Sequence, residues 1–247
     1  MSLAADLRTL YLLTLAPIRG ASHAERLESF YGPQAAAYDR FRERLLHGRQ
    51  ELFRSIPFAP GARWADLGCG TAANLEYLGD RLAKLQRVFV VDLCEPLLGV
   101  ARKRVISRGW KNVELICADA SRFEPPAGQL DVVSCSYSLT MMPDWFAVVD
   151  RAWDLLRPGG VIGVIDFFVS RKHAERGLVQ HGWWSRHFWP AWFARDNVYL
   201  SPDHLPYLQR RFETIALDQQ HASIPYLPGL RVPYYRFLGR KTAKGDN

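Results

Sequence analysis

Cysteine is scarce in this chain of 247 residues: there are four, Cys69, Cys94, Cys117 and Cys135, with no Cys-x-x-Cys pair and no histidine at ligand spacing. That argues against a disulfide framework and against a zinc site, and such thiol usage belongs to a reducing, cytoplasmic compartment. Long apolar runs are missing too. The longest early one, residues 9–18, is about half of the ~20 residues that a membrane-spanning helix needs. Asp6 precedes it and no A-x-A pattern follows, so it reads as a short amphipathic helix, neither a bilayer span nor a signal peptide. No internal repeat or low-complexity tract occurs. Acidic residues are outnumbered: 32 Lys+Arg against 25 Asp+Glu leave a net charge of +7 and a pI near 9.4. The excess favours anionic partners, nucleic acid or an acidic membrane surface, without choosing between them. What remains, 48% hydrophobic and 23% charged residues, is the composition of a folded globule.

Short β-branched runs alternate with longer helical ones from residue 63 to residue 168. Strands are expected at 63–67, 87–92, 113–118, 130–136 and 161–168, with helices at 72–84, 95–108 and 145–156. Parallel neighbours require crossovers of this length, so the fold class is α/β with a doubly wound, Rossmann-like parallel sheet. Gly159-Gly160 after Arg157-Pro158 ends one helix and turns into the next strand. Residues 212–224 and 233–239 read as two final strands joined by a proline-rich turn. Residues 1–60 are mostly helical in pattern and form an N-terminal lid segment, leaving 61–247 as the main domain. Gly32-Pro33 would be the lid's joint, and Tyr38, Phe41, Arg42 and Leu45 would share one helix face. Residues 169–211 carry 7 Lys+Arg against 3 Asp+Glu and four of the eight tryptophans, an aromatic-rich insertion after the fifth strand.

Asp66-Leu67-Gly68-Cys69-Gly70 leaves the first strand and enters a helix, where glycine lets the backbone approach a ligand and free N–H groups face it. Alone the motif is weak. Ala73 stands where a dinucleotide fingerprint has its third glycine, so a nicotinamide or flavin remains open on that motif by itself. Asp92 ends the second strand 22 positions after Gly70, placed to accept from two ribose hydroxyls. Asp119, after Cys117-Ala118, ends the third strand and can accept from an exocyclic adenine amine. Asp66, Gly68, Gly70, Asp92 and Asp119, each at a strand's C-terminal end, together resemble the class I S-adenosylmethionine-dependent methyltransferases over residues 60–168. The resemblance implies a seven-stranded methyltransferase sheet with a reversed last hairpin. It also implies S-adenosyl-L-methionine as cofactor and S-adenosyl-L-homocysteine as product.

The flanks add to this. Leu27-Glu28-Ser29-Phe30-Tyr31, Ala37-Tyr38-Asp39, Leu46-His47-Gly48-Arg49, the stretch 198–208, Ile224-Pro225-Tyr226-Leu227-Pro228 and the stretch 232–241 are similar to the bacterial betaine-lipid N-methyltransferases. That family trimethylates the amine of a diacylglyceryl-homoserine headgroup, and the similarity covers roughly residues 25–241. Enzymes that methylate ornithine lipid or phosphatidylethanolamine are close relatives, and they are alternatives for the headgroup. The resemblance implies a cofactor site of Tyr38, Arg49, Asp66, Gly68, Gly70, Asp92, Leu93, Asp119, Ala120 and Ser136, with no metal. It implies a cytoplasmic enzyme held peripherally at the inner face of the membrane.

Methyl transfer to an amine needs a deprotonated nitrogen ~3 Å from the methyl group and the exclusion of water. A solvent-exposed amine can lose its proton unaided, so a general base is optional; Tyr31, Tyr38 and His47 are the candidates. A growing quaternary ammonium prefers aromatic faces, available at Tyr31, Tyr38, Tyr137, Tyr226, Tyr234 and Tyr235. A substrate carboxylate would want a guanidinium fork, from Arg42, Arg49 or Arg231. In the segment 183–193, Trp184, Phe188 and Trp192 have the spacing of one helix face, although Pro190 interrupts it. Rings beside basic groups suit a membrane interface, a core cap or a base-stacking platform. Two other readings stand beside the lipid one: a small soluble amine as acceptor, and a nucleic-acid-binding protein with this fold. Against nucleic acid, the fourth strand ends in Ser136-Tyr137-Ser138-Leu139, not in Asn/Asp-Pro-Pro-Tyr/Phe.

Overall fold

The computed structural model describes residues 20–31, 45–126, 128–224 and 229–242. Two helices, α1 (His23–Tyr31) and α2 (Arg49–Ser55), precede the sheet. The alternating core follows as β1 (Arg63–Leu67), β2 (Arg87–Asp92), α3 (Glu95–Arg108), β3 (Val113–Cys117), β4 (Leu130–Ser136), α4 (Trp145–Leu155) and β5 (Leu156–Phe167). After it come α5 (Trp183–Phe193), α6 (His204–Arg211), β6 (Glu213–Ser223) and β7 (Arg231–Arg240). The seven strands stand in the order β3-β2-β1-β4-β5-β7-β6. β1 to β5 pair in parallel, and β7 runs antiparallel to both β5 and β6.

Parallel strands are covered on both faces, so their apolar residues run without polar gaps and divide by parity. Trp64, Val88, Val90 and Val132 turn to one face, where they meet Leu52, Phe53, Leu75 and Leu98. Ala65, Phe89, Val91 and Val133 turn to the other, against α4 and α6. The chain winds outward from β1 to β3 and then returns to place β4 on the other side of β1. A crevice therefore opens between β1 and β4 at their C-terminal ends, the place where such sheets take ligands. Side chains tie its two sides together. Trp64 Nε1 donates to Ser134 Oγ at 2.8 Å, Ser134 Oγ donates to Asp66 Oδ1 at 2.6 Å, and Ser138 Oγ donates to the Leu67 carbonyl at 2.9 Å.

Three expectations are corrected. The helix expected at 72–84 is a series of 3-10 turns over Ala73–Lys84, broken at Gly79 (φ 52, ψ −134). Leu75, Leu78 and Leu82 stay buried, so the apolar face survives although Gly79 interrupts the α geometry. The fifth strand begins at Leu156 rather than Val161: Leu156 pairs with Leu130, and Gly159-Gly160 lie in an irregularity within the strand. α5 continues through Pro190, which does not interrupt it, and its buried residues are Trp189 and Phe193.

The end of α2 is keyed into the sheet at a glycine. A Cβ at Gly163 of β5 would stand 2.5 Å from Ile56 Cδ1 and 3.0 Å from its Cγ1, and Ile56 is fully buried. Overpacking of this kind costs ~1–3 kcal/mol. Gly163→Ala is expected to destabilise by that amount, and Ile56→Val in the same chain should recover part of it. Strict additivity of the two substitutions in a denaturation cycle would show that α2 does not rest on this contact.

Candidate functional site

The pocket lies at the C-terminal ends of β1, β2, β3 and β4 and holds about 960 Å³, counting the solvent it opens onto. Its floor is the turn after β1, where Gly68 (φ 71) and Gly70 (φ 57) adopt left-handed conformations. A Cβ at Gly68 would fall 2.4 Å from the Ser138 Cβ. The turn comes this close to the β4 loop because no side chain stands there.

Asp92, half-buried at the end of β2, forms one wall. Its Oδ2 accepts from the Gly70 N–H at 2.7 Å and its Oδ1 from the Cys94 N–H at 2.9 Å. Each oxygen keeps a further lone pair for a ligand hydroxyl. Burial lifts the pKa of this carboxyl, against the pull of the Cys94, Gly70 and Leu93 amides. Leu93, Leu97, Val148 and Met142 supply apolar flanks, and Asp119 and Ala120 close the end at β3. Asp119 Oδ1 accepts from the Ser121 amide and hydroxyl, both at 2.8 Å, which leaves Oδ2 as the acceptor for a ligand amine. Leu27 of α1 reaches the same pocket.

The opposite wall is the loop after β4. Tyr137 has a φ of 52, a conformation that costs a non-glycine residue ~1–3 kcal/mol and persists where the surroundings enforce it. Here its phenol donates to the His47 carbonyl at 2.7 Å, its amide donates to the Ile165 carbonyl at 2.7 Å, and its ring lies 4.7 Å from that of Phe167. Asp166, fully buried, accepts from the Thr140 hydroxyl at 2.7 Å, the Thr140 amide at 3.1 Å and the Phe167 amide at 2.8 Å. Burial still pushes it up to about 7. These bonds fix the turn that carries Ser138, Met141 and Met142 into the pocket.

Residues 65–160 match the family model of the methyltransferase domain. Demethylmenaquinone methyltransferase of Geobacillus stearothermophilus is 28% identical over 145 residues, which are 57% of this chain and 62% of that protein. The chain thus spans less than two thirds of that relative's length. Among solved structures, phosphoethanolamine N-methyltransferase 2 of Haemonchus contortus, with phosphomonomethylethanolamine and S-adenosylhomocysteine, superimposes with a TM-score of 0.68 at 16% identity. The alignment covers 91% of this chain and 61% of that one. The N-methyltransferase NodS of Bradyrhizobium japonicum, with S-adenosyl-l-homocysteine, gives 0.55 at 17% identity over 83% of this chain and 86% of its own.

Residues 65–160 are a class I methyltransferase domain. Its cofactor is S-adenosylmethionine, and the pocket's chemistry fits that molecule. Asp92 stands where it would accept from ribose hydroxyls, the slot of Leu93, Leu97 and Val148 is apolar enough for adenine, and Asp119 would accept from its amine. The glycine turn offers backbone to the amino-acid end.

The remaining expected residues divide. Asp66 is fully buried beside Ser134 and is not among the described residues lining the methyltransferase pocket. Burial pushes it up to about 7 against the Ser134 hydroxyl, the Asn74 amide and the Arg49 charge. Arg49 is buried next to it, donating to the Leu46 carbonyl at 3.1 Å and to Asn74 Oδ1 at 3.3 Å. Ser136 is buried with its Oγ unpartnered among the described residues, and it too stands outside the pocket lining. The His47 side chain is exposed; its carbonyl is what meets the site. Tyr234 packs at the His47-Gly48 turn, since a Cβ on Gly48 would lie 2.9 Å from its Cε2. Tyr235 is buried with the opposite face of the sheet, and Arg231 is exposed and donates to the His221 carbonyl at 3.0 Å. The Tyr31 ring, Tyr38, Phe41, Arg42 and Tyr226 lie outside the described residues, as does most of the expected lid. Leu27, Ser138, Met141, Met142, Val148 and Asp166 were not anticipated; the Ser136-Tyr137-Ser138 ending of β4 was the one local signal pointing there.

Asp92→Asn would turn an amide NH₂ toward one of the two backbone donors and remove an acceptor from the ribose. With charge-assisted bonds at ~1.5–3 kcal/mol each before water compensates, affinity for S-adenosylhomocysteine is expected to fall about tenfold or more. A calorimetric titration with an unchanged dissociation constant would refute the ribose assignment.

Proposed function

We propose that the protein is an S-adenosylmethionine-dependent methyltransferase that acts on the amine nitrogen of a membrane-lipid headgroup. The acceptor is diacylglyceryl-homoserine and the product diacylglyceryl-trimethylhomoserine. One observation carries the choice of nitrogen: no histidine or lysine occurs among the described residues lining the pocket. Its carboxylates are also engaged. Asp92 holds two amides, Asp119 holds Ser121, and Asp144 caps α4 by accepting from the Ala147 N–H at 3.4 Å. An oxygen or carbon acceptor needs help to lose its proton, whereas an alkylamine releases it to water.

S-adenosylmethionine supplies an electrophilic methyl: the nitrogen–carbon bond forms as the sulfur–carbon bond breaks, and sulfur keeps the electron pair. Burial raises the Tyr137 phenol well above its ordinary range, so the ring stays neutral and its π face suits the ammonium, at roughly 0.5–2 kcal/mol. Met141 and Met142 are flexible thioethers that fill space around a small cationic group and keep water out. The flanking similarity to betaine-lipid enzymes supports the headgroup, and with it a peripheral position at the cytoplasmic face of the membrane. A second reading, transfer to a ring carbon of an apolar acceptor, draws on the 28% identity to the demethylmenaquinone enzyme.

Expression in a bacterial host supplied with diacylglyceryl-homoserine, followed by lipid extraction and mass spectrometry, is expected to yield its mono-, di- and trimethylated forms. Methylated quinone with unmethylated headgroup lipid would establish the second reading in its place. Tyr137→Ala should lower turnover about tenfold, and Tyr137→Phe, which keeps the ring, by less. Equal losses in the two variants would assign the effect to the His47 contact instead.

A further inference from the structure

Four large apolar side chains stand exposed on segments anchored at the C-terminal edge of the sheet. Trp183 is 60% and Trp184 75% exposed, on the first turn of α5. This helix is fastened to the end of β5 through His181, whose Nδ1 accepts from the Ser170 amide and whose own amide donates to Ser170 Oγ. Tyr199, 58% exposed, is held by its amide on the Thr140 carbonyl in the loop after β4. Leu230, 43% exposed, precedes β7, whose Tyr234 pairs with Phe167 at the same edge.

Two observations say what covers them. The first is charge. Glu175 and Asp203 are both paired with Arg171, at 3.0 and 2.6 Å. Lys172, Arg176 and Arg186 have no acidic partner within 4.0 Å among the described residues, on a chain of net charge +7. The second is continuity with the site. From Tyr137 in the pocket wall the rings run to Phe167 at 4.7 Å, to Phe193 at 4.9 Å and to Trp189 at 6.0 Å, the last two on α5 itself. Indole rings with basic neighbours favour the headgroup layer of an anionic bilayer, where the ring lies against acyl chains and the cation against phosphate.

We propose that the first turn of α5 inserts Trp183 and Trp184 into the interface of an anionic lipid bilayer, with Lys172, Arg176 and Arg186 on its phosphates. The pocket mouth thereby meets the headgroup layer. The surface deepens the lipid-acceptor reading and takes its purpose from it.

The test is co-sedimentation of the full chain with vesicles of equimolar phosphatidylglycerol and phosphatidylcholine, and with vesicles of phosphatidylcholine alone. Binding should be strong only to the anionic vesicles. It should weaken as salt rises, because the Debye length contracts from ~10 Å at 0.1 M to ~3 Å at 1 M. In W183S/W184S, whose rings are already exposed and whose melting temperature should not move, partitioning should fall about tenfold or more. Lys172→Glu with Arg176→Glu should lower it further and abolish the salt dependence. Equal binding by wild type and W183S/W184S overturns the insertion, and so does conversion of a dimer to a monomer by that variant, which makes a second copy the occupant. Methylation of diacylglyceryl-homoserine dispersed in detergent separates the two ideas. A chain that methylates the dispersed lipid without binding vesicles loses this surface and keeps its acceptor. A chain that binds vesicles through Trp183 and Trp184 but methylates no headgroup amine keeps the surface and loses the acceptor.

Discussion

Asp92 and the carbonyl beside it hold the turn on which the whole site is built. The Gly68 and Cys69 amides both donate to the Val91 carbonyl, at 2.8 and 3.1 Å, and the Gly70 amide donates to the Asp92 carboxylate at 2.7 Å. Three successive N–H groups leaving β1 are thus captured by the end of β2. An unmade bond at a buried amide costs ~1–3 kcal/mol, so the turn has little freedom to lie elsewhere. From the other side Ser138 bonds to the Leu67 carbonyl, and its Cβ occupies the space that any side chain at Gly68 would need. The cofactor pocket is the gap left between these two fixed sides.

The same edge gathers buried acids. Asp66, Asp92 and Asp166 stand at the ends of β1, β2 and β5, and burial raises all three above the ordinary carboxylate range. Each is held by neutral donors, so none has its charge cancelled by a close ion pair among the described contacts; Arg49 is the nearest cation to Asp66, and the weakest of the influences on it.

The parallel core was legible because each strand is buried on both faces and so reads as an apolar run between turn residues. β1, β2, β4 and α3 begin and end where those patterns do. Asp92 and Asp119 were legible for a topological reason: once strands are parallel, every C-terminal end lies on one edge, and acids at those ends converge. Gly79 was not, since leucines at spacings of three and four remain on one side in 3-10 turns as in an α-helix. Leu156 was hidden by the Pro-Gly-Gly that follows it, which punctuates a loop in most chains and here sits inside a strand. The wall after β4 was least legible. Tyr137 acquires its positive φ from the His47 and Ile165 carbonyls, and Asp166 acts through Thr140, 26 residues away. Spacing along the chain carries no trace of such contacts.

That division has a chemical logic. The cofactor end is made by β1, β2 and β3 within the matched residues 65–160, and it resembles that of enzymes whose acceptors differ. The support behind the opposite wall draws on what comes later or earlier: Phe167, Asp166, the α5 helix and the His47 turn. Tyr137 is where the two meet, lining the pocket while its hydroxyl holds the N-terminal segment and its ring packs on Phe167, which in turn stacks on Phe193. A close-packed aromatic column of this kind leaves the rings little freedom to move independently, where a liquid-like core would absorb displacement. The strained backbone at Tyr137 is therefore placed where the pocket wall, the N-terminal segment and the aromatic column of α5 converge on a single side chain.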